Sequence, residues 1–415
     1  MSILFTPGNI GLMTLKNRLI RSATRELLAA NKGRLSKSYI SLYSRLARGG
    51  VGLIVPGGYY VRADGLQAHR CIVVDNDEIM ADLQALVEVV HKHGAKIVAQ
   101  LNHCGRQSDP KVIGQTPLGP SPVRDKRTKV KPRQMKQKEI EQIIVAFGDA
   151  ARRVKEAGFD GVQIHAAHGY LVNQFLSAYT NRRRDKWGGS IENRMLFLTE
   201  IYKLVRSITG NNYPILVKIN GEDYVKRGIT IDETKIVCSK LDELGIDAIE
   251  VSGGIGEVGL IAIRGDIPID LLMRNRGFVE RAVLKIKIKF IRNQVRFKEA
   301  FFLSEAAAVK SVVKSPVIAV GGIRSRSTME RVLESGQADF ISMSRPFICQ
   351  PNLVNEMEKS DQNPILCSNC NRCSIEVLVH QNPLRCYNLN VRKKANEQFV
   401  RLGKHAMYNR EEIPS

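Results

Sequence analysis

Two histidines three residues apart, His165 and His168, and the nearby Tyr170 follow directly on the apolar run FDGVQI. The chain has only eight histidines. Imidazoles and a phenol at the end of a buried strand can donate hydrogen bonds to a developing oxyanion and deliver a proton. The competing readings are a structural pair or a zinc site, and zinc lacks a third ligand nearby in sequence. Gln100 sits inside VAQL, where an amide either satisfies itself in the core or holds the polar edge of a heterocycle. Lys218 interrupts PILVKIN, and a cation there either snorkels to solvent or pairs with an anionic cofactor edge. Further on, GGIRSRS carries Gly321 and Gly322, and SMSRPF carries Arg345. Glycines let backbone N–H groups approach a phosphate and an arginine neutralises it. Four of the eight cysteines cluster as Cys367, Cys370, Cys373 and Cys386, while Cys71, Cys104, Cys238 and Cys349 are scattered. In a cytosolic chain such a cluster points to metal or redox chemistry rather than disulfides.

These residues need elements to position them. Short apolar runs at 19–23, 51–57, 96–101, 160–165, 214–219, 247–252, 316–321 and 339–344 read as strands. Between them lie helical patterns such as DEIMADLQALVEVVHKHG and KEIEQIIVAFGDAARRVKEAG, each with an acidic start and a glycine stop. A junction recurs in EAGFDGV, ELGIDAI and ESGQADF: a helix ends on Gly and the next strand begins after Asp. Eight strand–helix units predict an α/β chain folded as a (β/α)₈ TIM barrel, with a short C-terminal cysteine-rich extension. A doubly wound sheet is the alternative, but RSATRE after the first strand is not a glycine-rich fingerprint. In a barrel, every residue singled out before the cysteines lies at the C-terminal ends of the strands, where barrel chemistry is built.

The totals narrow the class. The chain has 415 residues, is 43% hydrophobic and carries a net charge of +22. The densest basic run, 274–298, fits either an alternating strand or a basic amphipathic helix. No nucleic-acid signature accompanies it, so the charge reads as a generally basic surface rather than a nucleic-acid site. No apolar stretch is long enough for a membrane span. The N-terminus lacks the pattern of a signal peptide, and a cytoplasmic location is expected.

The block HAAHGYLVNQFLSAYTNRRRDKWGGSIENRMLF closely resembles the fourth-strand segment of the Old Yellow Enzyme family of FMN-dependent ene-reductases. LFTPGNIGLMTLKNRLIRSAT, VAQLNHCGR, VIAVGGIRS and ISMSRPF match that family at their expected places. The resemblance covers roughly residues 1–360. It implies FMN at the barrel mouth, with Gln100 on the flavin pyrimidine, Lys218 beside N1 and O2, and Ala23, Thr24 and Gly57 along the ring. Gly321, Gly322, Ser344 and Arg345 would hold the phosphate. His165 and His168 would hydrogen-bond the carbonyl oxygen of a bound enone, and Tyr170 would protonate its α-carbon. The chain departs from the family pattern in three places. Lysine stands at 218 where arginine is usual, Ser344 replaces glycine, and the strand-one position under the flavin falls on Thr24 or Arg25.

The cysteine segment resembles the [4Fe–4S] segment of longer family members of the 2,4-dienoyl-CoA reductase type, with the third cysteine shifted by one. It implies Cys367, Cys370, Cys373 and Cys386 as ligands of a [4Fe–4S] cluster, with zinc or no metal as alternatives. The division expected is 1–360 for the FMN-binding barrel and 361–415 for the extension and its basic tail. That tail is too short for the FAD module of the longer members, which is expected to be absent or on another polypeptide. The activity implied is reduction of the C=C bond of α,β-unsaturated carbonyl compounds with NAD(P)H. The alternative is a dienoyl-CoA-reductase-like enzyme fed through the cluster by a partner flavoprotein, with an enoyl thioester as substrate. A homo-oligomer is compatible with either.

Overall fold

The computed structural model describes residues 2–126, 128–360 and 365–401. Eight parallel strands form its centre: β1 (Leu19–Arg21), β2 (Leu53–Ile54), β3 (Lys96–Asn102), β4 (Gly161–Ala166), β5 (Ile215–Asn220), β6 (Ala248–Ser252), β7 (Val317–Ala319) and β8 (Phe340–Met343). Each pairs with the next, and β8 pairs back onto β1, so the sheet closes. The expected (β/α)₈ barrel is the observed fold, and a doubly wound sheet is ruled out by the closure.

Strand side chains alternate between the two faces, and here the alternation sorts two kinds of chemistry. Outward residues such as Ile97, Ile164, Val217, Ile249 and Ile341 join the large core under the helices. Inward residues near the strand starts, Ile20, Leu53, Val98, Leu216, Ala248, Ile318 and Phe340, form a separate apolar layer. A hairpin of Gly8–Ile10 and Met13–Leu15 plugs this layer from below with Ile10, Met13 and Leu15. Two residues further along the same strands the inward positions become Ser22, Gln100, Lys218, Glu250 and Ser342. The barrel interior is therefore apolar at the bottom and polar at the mouth.

The recurring junction has a physical reason. Gly158, Gly245 and Gly336 end their helices with φ between +67° and +92°, the left-handed region that glycine enters without steric penalty. The aspartate that follows caps a neighbouring strand: Asp160 accepts from the Ile97 N–H, Asp247 from Ile215 and Asp339 from Val317, at 2.7–2.9 Å. The basic run, open between strand and helix in the sequence, is a helix, Phe278–Ile291. It leaves Phe278, Val279, Val283, Ile286 and Phe290 exposed. After the barrel, the helices Arg372–Leu378 and Leu389–Arg401 belong to the extension. Val377, Leu384, Cys386 and Val391 pack there on Leu27, Tyr60, Ile348 and Cys349 of the barrel. The end of the expected basic tail, 402–415, lies outside the described residues. No described helix is long and apolar enough to cross a membrane.

Candidate active site

The mouth of the barrel holds a cavity of about 280 Å³. His165 stands near the end of β4, and the chain then folds back through His168, whose φ is +62°. A non-glycine residue in that region is strained and must be held. The His168 N–H donates to Asn220 Oδ1 at 3.1 Å, and Gln107 Nε2 donates to the carbonyls of His168 and Gly169 at 2.9 and 2.7 Å. The result is a compact aromatic group. The His165 ring lies 5.1 Å from that of His168 and 5.0 Å from that of Tyr170, edge to face in both cases. Ser252 fixes the His168 ring through Nε2 at 2.8 Å. His165 Nδ1 is buried and has no hydrogen-bond partner. Burial, with the neighbouring His168 and Lys218 charges, holds His165 well below the usual histidine range. Burial and Lys218 bring His168 down to about 3. Both rings are neutral at physiological pH, and each can donate one N–H.

Beneath them runs a buried polar chain. Strand register sets Gln100 beside Gln163, and Lys218 between His165 and Glu250. Gln100 Nε2 donates to Gln163 Oε1 at 2.8 Å, and Gln163 Nε2 donates to Glu250 Oε2 at 2.9 Å. Lys218 Nζ donates to Glu250 Oε1 at 3.2 Å and to Ser22 Oγ at 2.8 Å, while Ser22 Oγ donates to Glu250 at 2.7 Å. Burial would raise the Glu250 carboxyl, but Lys218, Ser22 and Gln163 together hold it below its ordinary value. Lys218 thus has a partner within the chain, and the Lys218–Glu250 pair brings almost no net charge to the cavity floor.

Around the rim the structure brings together most of the expected residues. Ala23, Thr24, Gln100, Lys218, Gly321, Gly322, Ser344 and Arg345 all line the same cavity as His165, His168 and Tyr170. Gly57 does not: its N–H is committed to Glu26 Oε1 at 3.1 Å, and its neighbour Gly58 takes the lining position. Gly321 and Gly322 have φ of +117° and +73°. Arg345 is held from the extension and from the loop after β6: it donates to the Asn371 side chain at 2.5 Å and to the Arg264 carbonyl at 2.9 Å. A planar heterocycle with a phosphate arm fits this donor set. It would find an amide and a buried ammonium on one side, glycine backbone and a guanidinium on the other, and an unpartnered imidazole nitrogen above.

The four clustered cysteines, Cys367, Cys370, Cys373 and Cys386, line one small hollow next to the cavity, and Cys349 joins them from the barrel. Cys373, Arg345, Ile348 and Asn369 face both spaces. A hydrogen bond from Cys349 brings Cys367 down to about 6, against burial and helped by Arg345. Burial pushes Cys373 up to about 12 and Cys386 up to about 11. Cluster or metal binding would have to displace those protons, and thiolates are the ligands that both iron–sulfur and zinc require. Among the described residues, no group of three or more His, Cys, Asp or Glu side chains is set to hold a single metal ion.

The sequence reading missed several members of this site. Glu250 inside DAIEVS gave the same signal as Lys218, a charge in a buried strand. Gln163 gave the same signal as Gln100. Ser22, Ser252 and Asn371 carry no sequence signal, because only the fold brings them to their partners at the mouth.

The chain is similar to known proteins over most of its length. The model of a family described as NADH:flavin oxidoreductase / NADH oxidase matches residues 3–256 and 273–363. The chain is 36% identical to an NADH oxidase of Thermoanaerobacter brockii over 92% of this chain and 55% of that protein. It spans about half the length of the first curated relatives it matches. A solved 2-naphthoyl-CoA reductase superposes with a TM-score of 0.82 at 25% identity, covering 96% of this chain and 58% of that one. An old yellow enzyme homologue from Zymomonas mobilis superposes with a TM-score of 0.70 at 25% identity, covering 87% of this chain and 94% of that one.

Proposed function

The chain belongs to the NADH:flavin oxidoreductase / NADH oxidase family, and from that premise we propose that it is an FMN-dependent ene-reductase. It draws electrons from NAD(P)H and reduces the C=C bond of α,β-unsaturated carbonyl compounds. Gln100, Lys218, Gly321, Gly322, Ser344 and Arg345 would hold the flavin, with Ala23, Thr24 and Gly58 along it. Bound FMN, once reduced, supplies a hydride to the β-carbon of the alkene. As the hydride arrives, negative charge grows on the carbonyl oxygen. Neutral His165 and His168, preorganised in a buried site, donate N–H bonds to that oxygen, where they are worth most. Tyr170 delivers a proton to the α-carbon. The observation that carries this reading is His165 Nδ1, a buried imidazole nitrogen with no partner beside two further donors.

The test is the double variant His165→Ala/His168→Ala. It keeps its flavin and loses enone reduction by roughly 10²- to 10³-fold or more. Loss of flavin in that variant would mean that the pair is structural and not catalytic.

A second reading has its own support. The cysteine hollow shares a wall with the cavity through Cys373, and the likeness to 2-naphthoyl-CoA reductase extends over 96% of the chain, extension included. On this reading Cys367, Cys370, Cys373 and Cys386 hold a [4Fe–4S] cluster that passes electrons from a partner flavoprotein to the barrel, and the substrate is an enoyl thioester. Residues 1–360 would then be the catalytic unit and 361–415 the electron entry. Anaerobically purified protein with about four irons and matching labile sulfide per chain, and with flavin that NAD(P)H alone does not reduce, favours this reading. Direct NAD(P)H oxidation without iron favours the first.

A further inference from the structure

We propose that Arg25 anchors a carboxylate on the substrate, so that the site takes enones that carry an acid group. The proposal rests on the ene-reductase reading and names its substrate class. Arg25 follows β1 and lines the same cavity as His165, His168 and Tyr170. Its guanidinium has only neutral acceptors: it donates to Gln67 Oε1, and to the Val377 carbonyl of the extension at 3.4 Å. Its Nε is buried and has no partner. The adjacent Glu26 is committed elsewhere, to Arg21 and Tyr43. Of the other cations lining the cavity, Lys218 already has Glu250, and Arg345 is the residue assigned to the flavin phosphate.

A guanidinium in a cavity wall with no anion beside it is costly, and an incoming carboxylate removes that cost while making charge-assisted bonds. The geometry also says where on the substrate the acid sits. Tyr170 Oη and Arg25 share one acceptor, Gln67 Oε1, with the tyrosine at 3.4 Å. The anion-binding group therefore stands beside the proton donor. The acid is placed at the far end of the alkene from the carbonyl oxygen held by the histidines.

The experiment uses the flavin-loaded enzyme with two probes of one skeleton, 3-benzoylacrylate and its methyl ester. The expected result is a kcat/KM higher for the acid than for the ester, with the preference carried mainly in KM. Arg25→Gln should collapse the acid-to-ester ratio on the order of 10- to 100-fold, and Arg25→Lys should restore part of it. Circular dichroism and thermal melting of each variant report folding, separately from its flavin content. Equal losses for acid and ester, or an ester preferred by the wild type, would overturn the proposal. So would a change confined to the NADPH-to-NADH ratio, which would assign Arg25 to a nucleotide phosphate. If neither probe is reduced, the ene-reductase reading fails, and binding decides the role of Arg25 separately. The saturated analogue 3-benzoylpropanoate should perturb the flavin spectrum more tightly than its ester in the wild type and not in Arg25→Gln. No such difference in the wild type overturns the carboxylate site as well.

Discussion

Tyr170, His165 and His168 occupy one corner of the barrel mouth, and the proposed function gives them different work, so that their variants fail differently. Tyr170→Phe keeps the ring packed on His165 and removes only the proton, so turnover should fall by roughly 10²-fold while reduction of the flavin by NAD(P)H is unchanged; stopped-flow of the two half-reactions separates them. The histidines also tie stability to pH. His168 titrates near 3 in the fold against an ordinary 6.5. Between those values the unfolded chain binds a proton that the folded chain refuses. Stability is thus complete above about pH 6.5 and is lost as the pH falls towards 3, by up to about 1.4 kcal/mol per pH unit for each such group. Denaturation midpoints across that window should fall less steeply for His168→Asn than for the wild type. Glu250 is the matching case for a carboxylate. Glu250→Ala leaves Lys218 buried and unpaired, and should cost about 3–5 kcal/mol, read from denaturant unfolding.

At the scale of elements, the barrel strands do two jobs by turns of two residues. The lower inward layer is apolar and supports the hairpin plug; the next inward layer is the polar floor of the cavity. A single shift of register in β5 would exchange Lys218 for Val217 or Ile219, so the floor depends on closure of the whole sheet. The loop after β7 is tight. A Cβ on Gly321 would stand 2.6 Å from the Phe302 ring, at a φ of +117° that side chains avoid. Gly321→Ala should therefore weaken FMN binding at least tenfold and lower stability by about 1–3 kcal/mol, read by flavin release on dilution and by thermal melting. Of these features, the recurring Gly-Asp junctions and the apolar strands were plain in the sequence, because each rests on local chemistry. The choice between strand and helix for 274–298 was not, since LKIKIKF alternates locally while the longer run has a helical face.

For the whole molecule, the described part of the extension is built into the candidate active site. Val377 and Asn371 reach back to Arg25 and Arg345, and Cys373 belongs to the walls of both the cavity and the cysteine hollow. Asn371→Ala frees Arg345 from the extension. If that arginine holds the flavin phosphate, FMN affinity should drop severalfold without loss of the barrel fold, measured by fluorescence titration of the apoprotein. Enone turnover at saturating FMN should survive.

The sequence by itself determined the barrel, the order of its strands, and the corner of His165, His168 and Tyr170. Periodicity, glycine stops and a compact motif are written in residues close together along the chain. It also named Gln100, Lys218, Gly321, Gly322 and Arg345 as mouth residues, because polar groups and glycines at strand ends stand out against an apolar run. Only the tertiary structure decided their partners. Glu250 for Lys218, Gln163 for Gln100, Asn371 for Arg345 and Gly58 in place of Gly57 follow from closure of the sheet and from the extension folding back across it. Those contacts join residues from 26 to 63 positions apart, a separation over which local sequence carries no information about distance in space.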